Sequence, residues 1–187
     1  MGLLFILVVG AIAYFWYAGL ISKRNAAREA LSGIDVQLTL RAELIPNILA
    51  IAKRFLTQET DVLTRVTELR AEAMQPYDRG NAQQVAQHLA AAEQLGQAMG
   101  NLKIAVEAYP ELTSSSTMIE AMRSYNEVEA QLSAARRFYN SAVTRLNNAV
   151  EIFPGNLIAR GVGVEAMPFF QAMEGAAQPI DAAALLN

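Results

Sequence analysis

The pattern of apolar and polar positions divides the chain into one unbroken apolar run and three amphipathic stretches. Gly2 to Ile21, GLLFILVVGAIAYFWYAGLI, carries no charged residue. A run of that length at ~1.5 Å rise per residue makes about 30 Å of helix, the thickness of a bilayer's hydrocarbon core. From Ser22 the pattern becomes periodic. Ile34, Leu38, Arg41, Ile45, Ile48, Ala52, Phe55, Glu59, Val62, Val66, Leu69 and Ala73 follow alternating steps of four and three, and only Arg41 and Glu59 among them are not apolar. This seam predicts one long helix from the apolar run to about Met74. Pro46 lacks a backbone donor and crowds the carbonyl of Ala42, which predicts a kink there.

The segment Gln75–Asn81, QPYDRGN, has turn composition. A second helix is predicted from about Ala82 to Tyr109, with Val85, Leu89, Ala92, Leu95, Met99, Leu102 and Val106 on one stripe. Gly96 and Gly100 weaken it or admit a close neighbour, and Pro110 ends it. ELTSSS reads as a loop, and Thr117-Met118-Ile119-Glu120 has capping-box spacing. A third helix is predicted over about Met118–Phe153, with Met122, Tyr125, Val128, Leu132, Ala135, Tyr139, Ala142, Leu146 and Val150 as its stripe. Pro154-Gly155-Asn156 stops it. The resulting fold class is all-α: an N-terminal transmembrane helix (1–21), a juxtamembrane stalk (22–33), an antiparallel three-helix bundle core (34–156), then a short helix and a loosely ordered tail (157–187). Short connections make neighbouring helices antiparallel, which puts the 75–81 turn far from the membrane and the Pro110–Ser116 loop nearer to it.

Charge placement turns the apolar run into an anchor with an orientation. A secretory signal carries its positive charge before the apolar run. Here Lys23, Arg24 and Arg28 follow it and none precedes it, while the small-x-small triplet Ala11-Ile12-Ala13 lies inside the run. Gly2 invites a myristoylation reading, but Ile6 stands where Ser or Thr is required. Basic residues mark the cytoplasmic side, so the expectation is a single-pass membrane protein with Met1 outside and the C-terminal domain in the cytoplasm. Tyr14, Phe15, Trp16 and Tyr17 form an aromatic belt near one interface. The net charge of −3 argues against a nucleic-acid partner. With no cysteine, disulfides, thiolate sites and cysteine nucleophiles are excluded.

Candidate chemistry is sparse. The one histidine, His88, has no Glu three residues before it, so the Glu-x-x-His ligand pattern of di-iron bundles is missing. It reads as a packed or exposed helix residue rather than a ligand. Gly161-Val162-Gly163 follows no strand and makes no phosphate loop. No catalytic, cofactor or metal residue is assigned. The polar residues on the helix seams carry more information: Arg41 and Glu59 on the first, flanked by Asp35, Glu43 and Asn47, and Glu129, Arg136 and Asn140 on the third. A buried charge must find a partner. Glu129 or Asp35 paired with Arg41 or Arg136 would fix helix register. The alternative is that these side chains sit at the seam's edge and reach water.

The motifs themselves resemble the LemA family. Ile34-Asp35-Val36-Gln37-Leu38 through Arg41-Ala42-Glu43-Leu44-Ile45-Pro46-Asn47 carries the resemblance, with Glu107-Ala108-Tyr109-Pro110-Glu111-Leu112, Ala135-Arg136, Tyr139-Asn140, Phe153-Pro154 with Asn156, and Phe169-Phe170. The order and spacing hold from about Leu20 to Phe170. Leu31 stands where the family often has Trp, and Ala18 where Asn is usual. The resemblance implies a bacterial single-pass membrane protein with a helical domain, no established reaction, and relatives linked to magnetosome membranes.

These readings lead to a non-enzymatic, membrane-anchored helical scaffold that self-associates, with the lipid bilayer and its own copies as partners and the Phe169-Phe170 tail as an apolar contact. Two rivals remain. One is an adaptor or signal-relay protein for a membrane protease or receptor. The other is a hydrolase or metal-dependent enzyme built on Glu43, Glu59 and Glu129.

Overall fold

A computed structural model describes residues 1–56 and 58–171. Its described residues form six helices and no strand: α1 (Gly2–Ala52), α2 (Thr60–Ala73), α3 (Ala82–Glu107), α4 (Pro110–Thr113), α5 (Ser116–Glu151) and α6 (Gly155–Val162). The all-α class read from the periodicity holds.

α1 is one helix of 51 residues with two characters. Its large apolar side chains from Leu3 to Tyr17 are exposed. Burial begins at Leu20 and continues through Ala27, Ala30, Leu31, Ile34 and Leu38, spaced for one face. The stretch 22–33, expected as a stalk, is therefore part of the bundle. α5, α6 and the segment after α6 cover it, because Leu132, Tyr139, Val143, Leu146, Ala159, Val164, Met167 and Phe170 share one core cluster with Leu20 to Leu38.

The seam does not continue as one helix to Met74. α1 ends at Ala52, and the next residues close it with tight bonds, Arg54 N–H to Ile51 O at 3.3 Å and Phe55 N–H to Ala52 O at 3.0 Å. Leu56, not Phe55, is the fully buried residue, so the seam slips by one position at the break. Glu59, the seam's second polar position, is the N-cap of α2 with non-helical backbone angles. Length explains the reversal. α5 has 36 residues, ~54 Å, and the bundled part of α1 nearly matches it. A helix unbroken to Met74 would carry its last apolar positions about 30 Å beyond any partner.

That missed reversal inverts everything downstream. α2 runs back along α1, so the 75–81 turn lies beside Arg28, whose guanidinium is 3.6 Å from where a Cβ on Gly80 would stand. The Pro110–Thr113 turn is at the opposite end, where Leu112 and Met118 pack with Ile48, Ala52 and Leu56. The layout expected for these two connections is thus reversed. Pro110 also does more than stop α3, since it opens the single turn of α4 at its first position. α5 starts at Ser116 with Ser115 as N-cap and no side-chain cap, so the Thr117–Glu120 box is not used. Asn81 does cap α3, accepting from Gln83 and Gln84 N–H at 3.0 and 3.1 Å.

α1 is unbroken across Pro46. The proline leaves the Ala42 carbonyl without its intrahelical donor, and Arg70 on α2 supplies one, Nε to O at 2.7 Å. The orphan thus becomes a tie between α1 and α2.

α6 closes on Gly163, the one described residue at positive φ (65°), which lets Val164 N–H reach Ala159 O. Residues 164–171 then return along α5 in a fixed path. Of the tail expected to be loosely ordered, this part is pinned in place, and 172–187 lie outside the described residues. Phe170 is buried and only Phe169 is exposed, so the pair is not an apolar patch open to another molecule.

Candidate functional site

The bundle's polar side chains fall into three linked groups. The first separates the two apolar clusters. Arg41 comes between Leu38 of one cluster and Ile45 of the other and is 2% exposed. Its Nη1 meets Glu129 Oε1 on α5 at 3.1 Å, and its Nη2 donates to the Ala92 carbonyl on α3 at 2.5 Å. One guanidinium thereby joins three helices. Gly96 borders it, and a Cβ there would stand in contact with Nη1 at 3.4 Å. Tyr125, a turn before Glu129, has its phenol pushed upward, chiefly by burial and then by the Glu129 carboxylate.

The second group gathers on Asp35. Tyr77 Oη donates to Oδ1 at 2.8 Å and Arg79 Nη2 lies 2.6 Å from Oδ2. His88 Nε2 is 3.4 Å from Oδ1, a polar contact longer than a good hydrogen bond. The Tyr77 and His88 rings stack with centroids 4.1 Å apart. Burial raises the carboxyl of Asp35, but the His88 contact, the Tyr77 hydroxyl and the Arg79 charge together hold it below the usual 3.8. Burial, then the bond to Asp35, pushes the Tyr77 phenol up. The carboxylate stays ionised and the phenol neutral, which suits a structural clasp and neither half of an acid–base pair. It clasps the 75–81 turn onto α1 and α3, beside an open groove of about 510 Å³ that also takes in Leu38, Thr39 and Met74.

The third group fixes the chain after α6. Asn147 offers both ends of its amide to Met167, accepting from its N–H at 2.9 Å and donating to its carbonyl at 3.0 Å. Asn140 treats Phe170 the same way at 2.9 and 2.8 Å. Tyr139 Oη donates to Pro168 O at 2.7 Å. Arg136 pairs with Glu93 of α3 at 3.1 Å and lies over the Phe170 ring, 4.1 Å from its centroid.

Of the residues singled out by the pattern, Arg41 and Glu129 form the cross-helix pair foreseen for them. Asp35 and Arg136 take Arg79 and Glu93 instead. Glu59 accepts from Tyr109 Oη at 2.7 Å at the far end of the bundle, while Glu43 and Asn47 are exposed. Glu43, Glu59 and Glu129 therefore occupy three different settings, and no group of three metal-ligating side chains forms among the described residues. Tyr77, Arg79, Glu93 and Asn147 escaped notice. Only Asn147 left a usable trace, seven residues after Asn140 and so on the same face of α5.

A helical bundle whose polar interior is committed to holding its helices together, carried on an apolar N-terminal helix long enough to cross a membrane, is the class these features define. The LemA family model matches residues 30–182, and the chain belongs to the LemA family. It is also similar to magnetosome proteins MamQ 1 and MamQ 2 of Paramagnetospirillum magneticum, each 32% identical over 85 residues. The match covers 46% of this chain and 31% of each relative, so less than a third of those proteins is represented.

Proposed function

We propose that this protein is a non-enzymatic, membrane-anchored scaffold that self-associates at the bilayer and organises or shapes it. The observation that carries the reading is the continuity of α1. One helix runs from a fully exposed apolar end into the buried seam of the bundle, so the bundle is coupled rigidly to whatever holds that end. Lipid is the natural solvent for such a surface. The basic residues after it support the reading of a single pass through a bacterial inner membrane with the bundle on the cytoplasmic side. Similarity to two magnetosome proteins supports a membrane-organising role. The test is extraction followed by sizing. The full chain should resist carbonate, need detergent, and show a mass in detergent that rises with concentration. Release without detergent overturns the anchor, and a strict monomer at every concentration overturns self-association.

A second reading, an adaptor for another membrane protein, is favoured by one feature. Val106, Met118, Ile119 and Met122 line an open apolar groove of about 450 Å³ between α3 and α5, rimmed by Lys103, Glu107, Arg123 and Glu127. An amphipathic helix suits it. A photo-crosslinker at Ile119 should then give one adduct whose mass is not a multiple of this chain; an adduct of two copies favours self-association.

A further inference from the structure

We infer that the turn between α5 and α6 is a second membrane contact, entering the lipid interface beside α1. This rests on the reading of α1 as the anchor and adds what a lone anchor lacks, a fixed orientation of the bundle on the membrane.

The placement follows from packing. α5 runs antiparallel to α1, with Glu129 at Arg41 and Ala149 near the start of the buried seam. Ala149 and Gly155 line a groove of about 280 Å³ together with Phe15, Trp16, Gly19, Leu20 and Lys23 of α1. The chain between Ala149 and Gly155 therefore reaches the level of the aromatic cluster where α1 leaves its apolar run. Ile152 and Phe153 are the tip, 61% and 72% exposed, and Leu157 on the first turn of α6 is 59% exposed. Three large apolar side chains project into solvent at the level where the neighbouring helix is wrapped by lipid. Other exposed apolar side chains of the bundle, such as Val36, Leu40 and Ile119, lie away from this end, whereas the tip flanks the groove that Ala149 and Gly155 share with Phe15 and Trp16 of α1.

The tip has the make-up of an interfacial contact. Such elements bury an apolar face some 5–10 Å into the boundary of headgroups and acyl chains and keep their polar face in water. On α6, Leu157 is exposed while Ala159 packs against the core, and Arg160 sits in its last turn. Tightness at the turn keeps the tip in place: a Cβ on Gly155 would collide with the Ala149 carbonyl, so the chain reverses hard against α5. One helix through a bilayer leaves the bundle free to rotate about it. A second contact one helix diameter away removes that freedom and presents the same face of every copy along the membrane.

Because the chain has no cysteine, single spin labels report depth without background. Leu7→Cys, Phe153→Cys, Leu157→Cys and Ile104→Cys, in the full chain in anionic vesicles, are compared by collision with oxygen and with a water-soluble nickel complex. Leu7→Cys should report hydrocarbon and Ile104→Cys, exposed on α3, should report water. Labels at 153 and 157 should lie between, with nickel collisions reduced roughly threefold relative to Ile104→Cys. If both match Ile104→Cys while Leu7→Cys remains in hydrocarbon, the inference is overturned and the anchor stands. A Leu7→Cys label in water overturns both. Helix content by circular dichroism identifies a variant that fails to fold, and the two positions at the tip are read independently.

Discussion

At the scale of single residues, Arg41 holds the bundle's register, and the two ends of its ion pair are not equivalent. Arg41 is 2% exposed whereas the Glu129 side chain is 35% exposed. Removing Glu129 strands a charge in the interior, and a guanidinium has no neutral form to retreat to. Removing Arg41 leaves a carboxylate that water already reaches, and the Ala92 carbonyl keeps its place in α3. Glu129→Leu should therefore destabilise the bundle by about 2 kcal/mol, below the usual cost of breaking a fully buried pair because water can enter. Arg41→Met should cost about 1 kcal/mol or less, and the double variant should recover most of the Glu129→Leu loss. Thermal unfolding in mild detergent, followed by circular dichroism, measures all three. Equal losses for the two single variants would remove Arg41 from its role. That Arg41 needed a partner was legible in the sequence, because it interrupts an otherwise apolar seam. Its second partner was not, since a backbone carbonyl leaves no mark on composition.

At the scale of elements, two ties use backbone groups that ordinary helices satisfy alone. Pro46 frees the Ala42 carbonyl and Arg70 occupies it. Arg70→Met should cost about 1.5 kcal/mol, the worth of a charged hydrogen bond. In a Pro46→Ala background residue 46 regains its N–H, the carbonyl is satisfied within α1, and the cost should fall to a few tenths of a kcal/mol. A cycle without coupling would show that the contact is incidental. On α5, Asn140 and Asn147 each make two hydrogen bonds to one backbone residue of the returning chain. Asn140→Ala should cost about 2 kcal/mol locally and raise hydrogen exchange at the Phe170 amide by more than tenfold, with little change in α2. The periodicity located α3 and α5 to within two residues of their ends, because their stripes are long and their boundaries carry Pro, Asn and Gly. The break after Ala52 has no such punctuation. Lys53 to Glu59 contains neither Gly nor Pro, the alternating spacing runs through it without a slip, and only the charge of Glu59 marked it. The docked path of 164–171 was hidden for a related reason: its hydrogen bonds come from asparagines far away in the chain.

At the scale of the whole molecule, that one unmarked break decides which connection lies toward the apolar end of α1, which is why the layout read from helix lengths came out inverted although the helices themselves were mostly right. The same packing ties all the elements to a few buried titrating groups, and these set the pH range of the fold. Asp35 is held below 3.8 in the folded bundle, so its contribution is present above that value and is lost as pH falls through the lower, folded one. Tyr77, Tyr125 and Tyr139 are all raised above 10.0, with burial as the first cause in each, so their neutral forms are favoured by folding. For a raised group the unfolded chain loses its proton first. Stability is then full below pH 10 and declines as pH climbs toward the folded values. The unfolding temperature should be nearly flat from about pH 5 to about pH 9, fall gently below about pH 4, and fall steeply above about pH 10. Tyr125→Phe is the discriminating variant. Among the described residues no hydrogen bond of its hydroxyl spans two helices, so the substitution should change stability little at neutral pH while flattening the alkaline limb. Tyr139→Phe gives up the bond to Pro168 and should lower stability at pH 7 as well. An alkaline limb that neither substitution flattens would mean that the phenols are solvated in the folded protein and that the core around Asp35 and Arg41 is open to water.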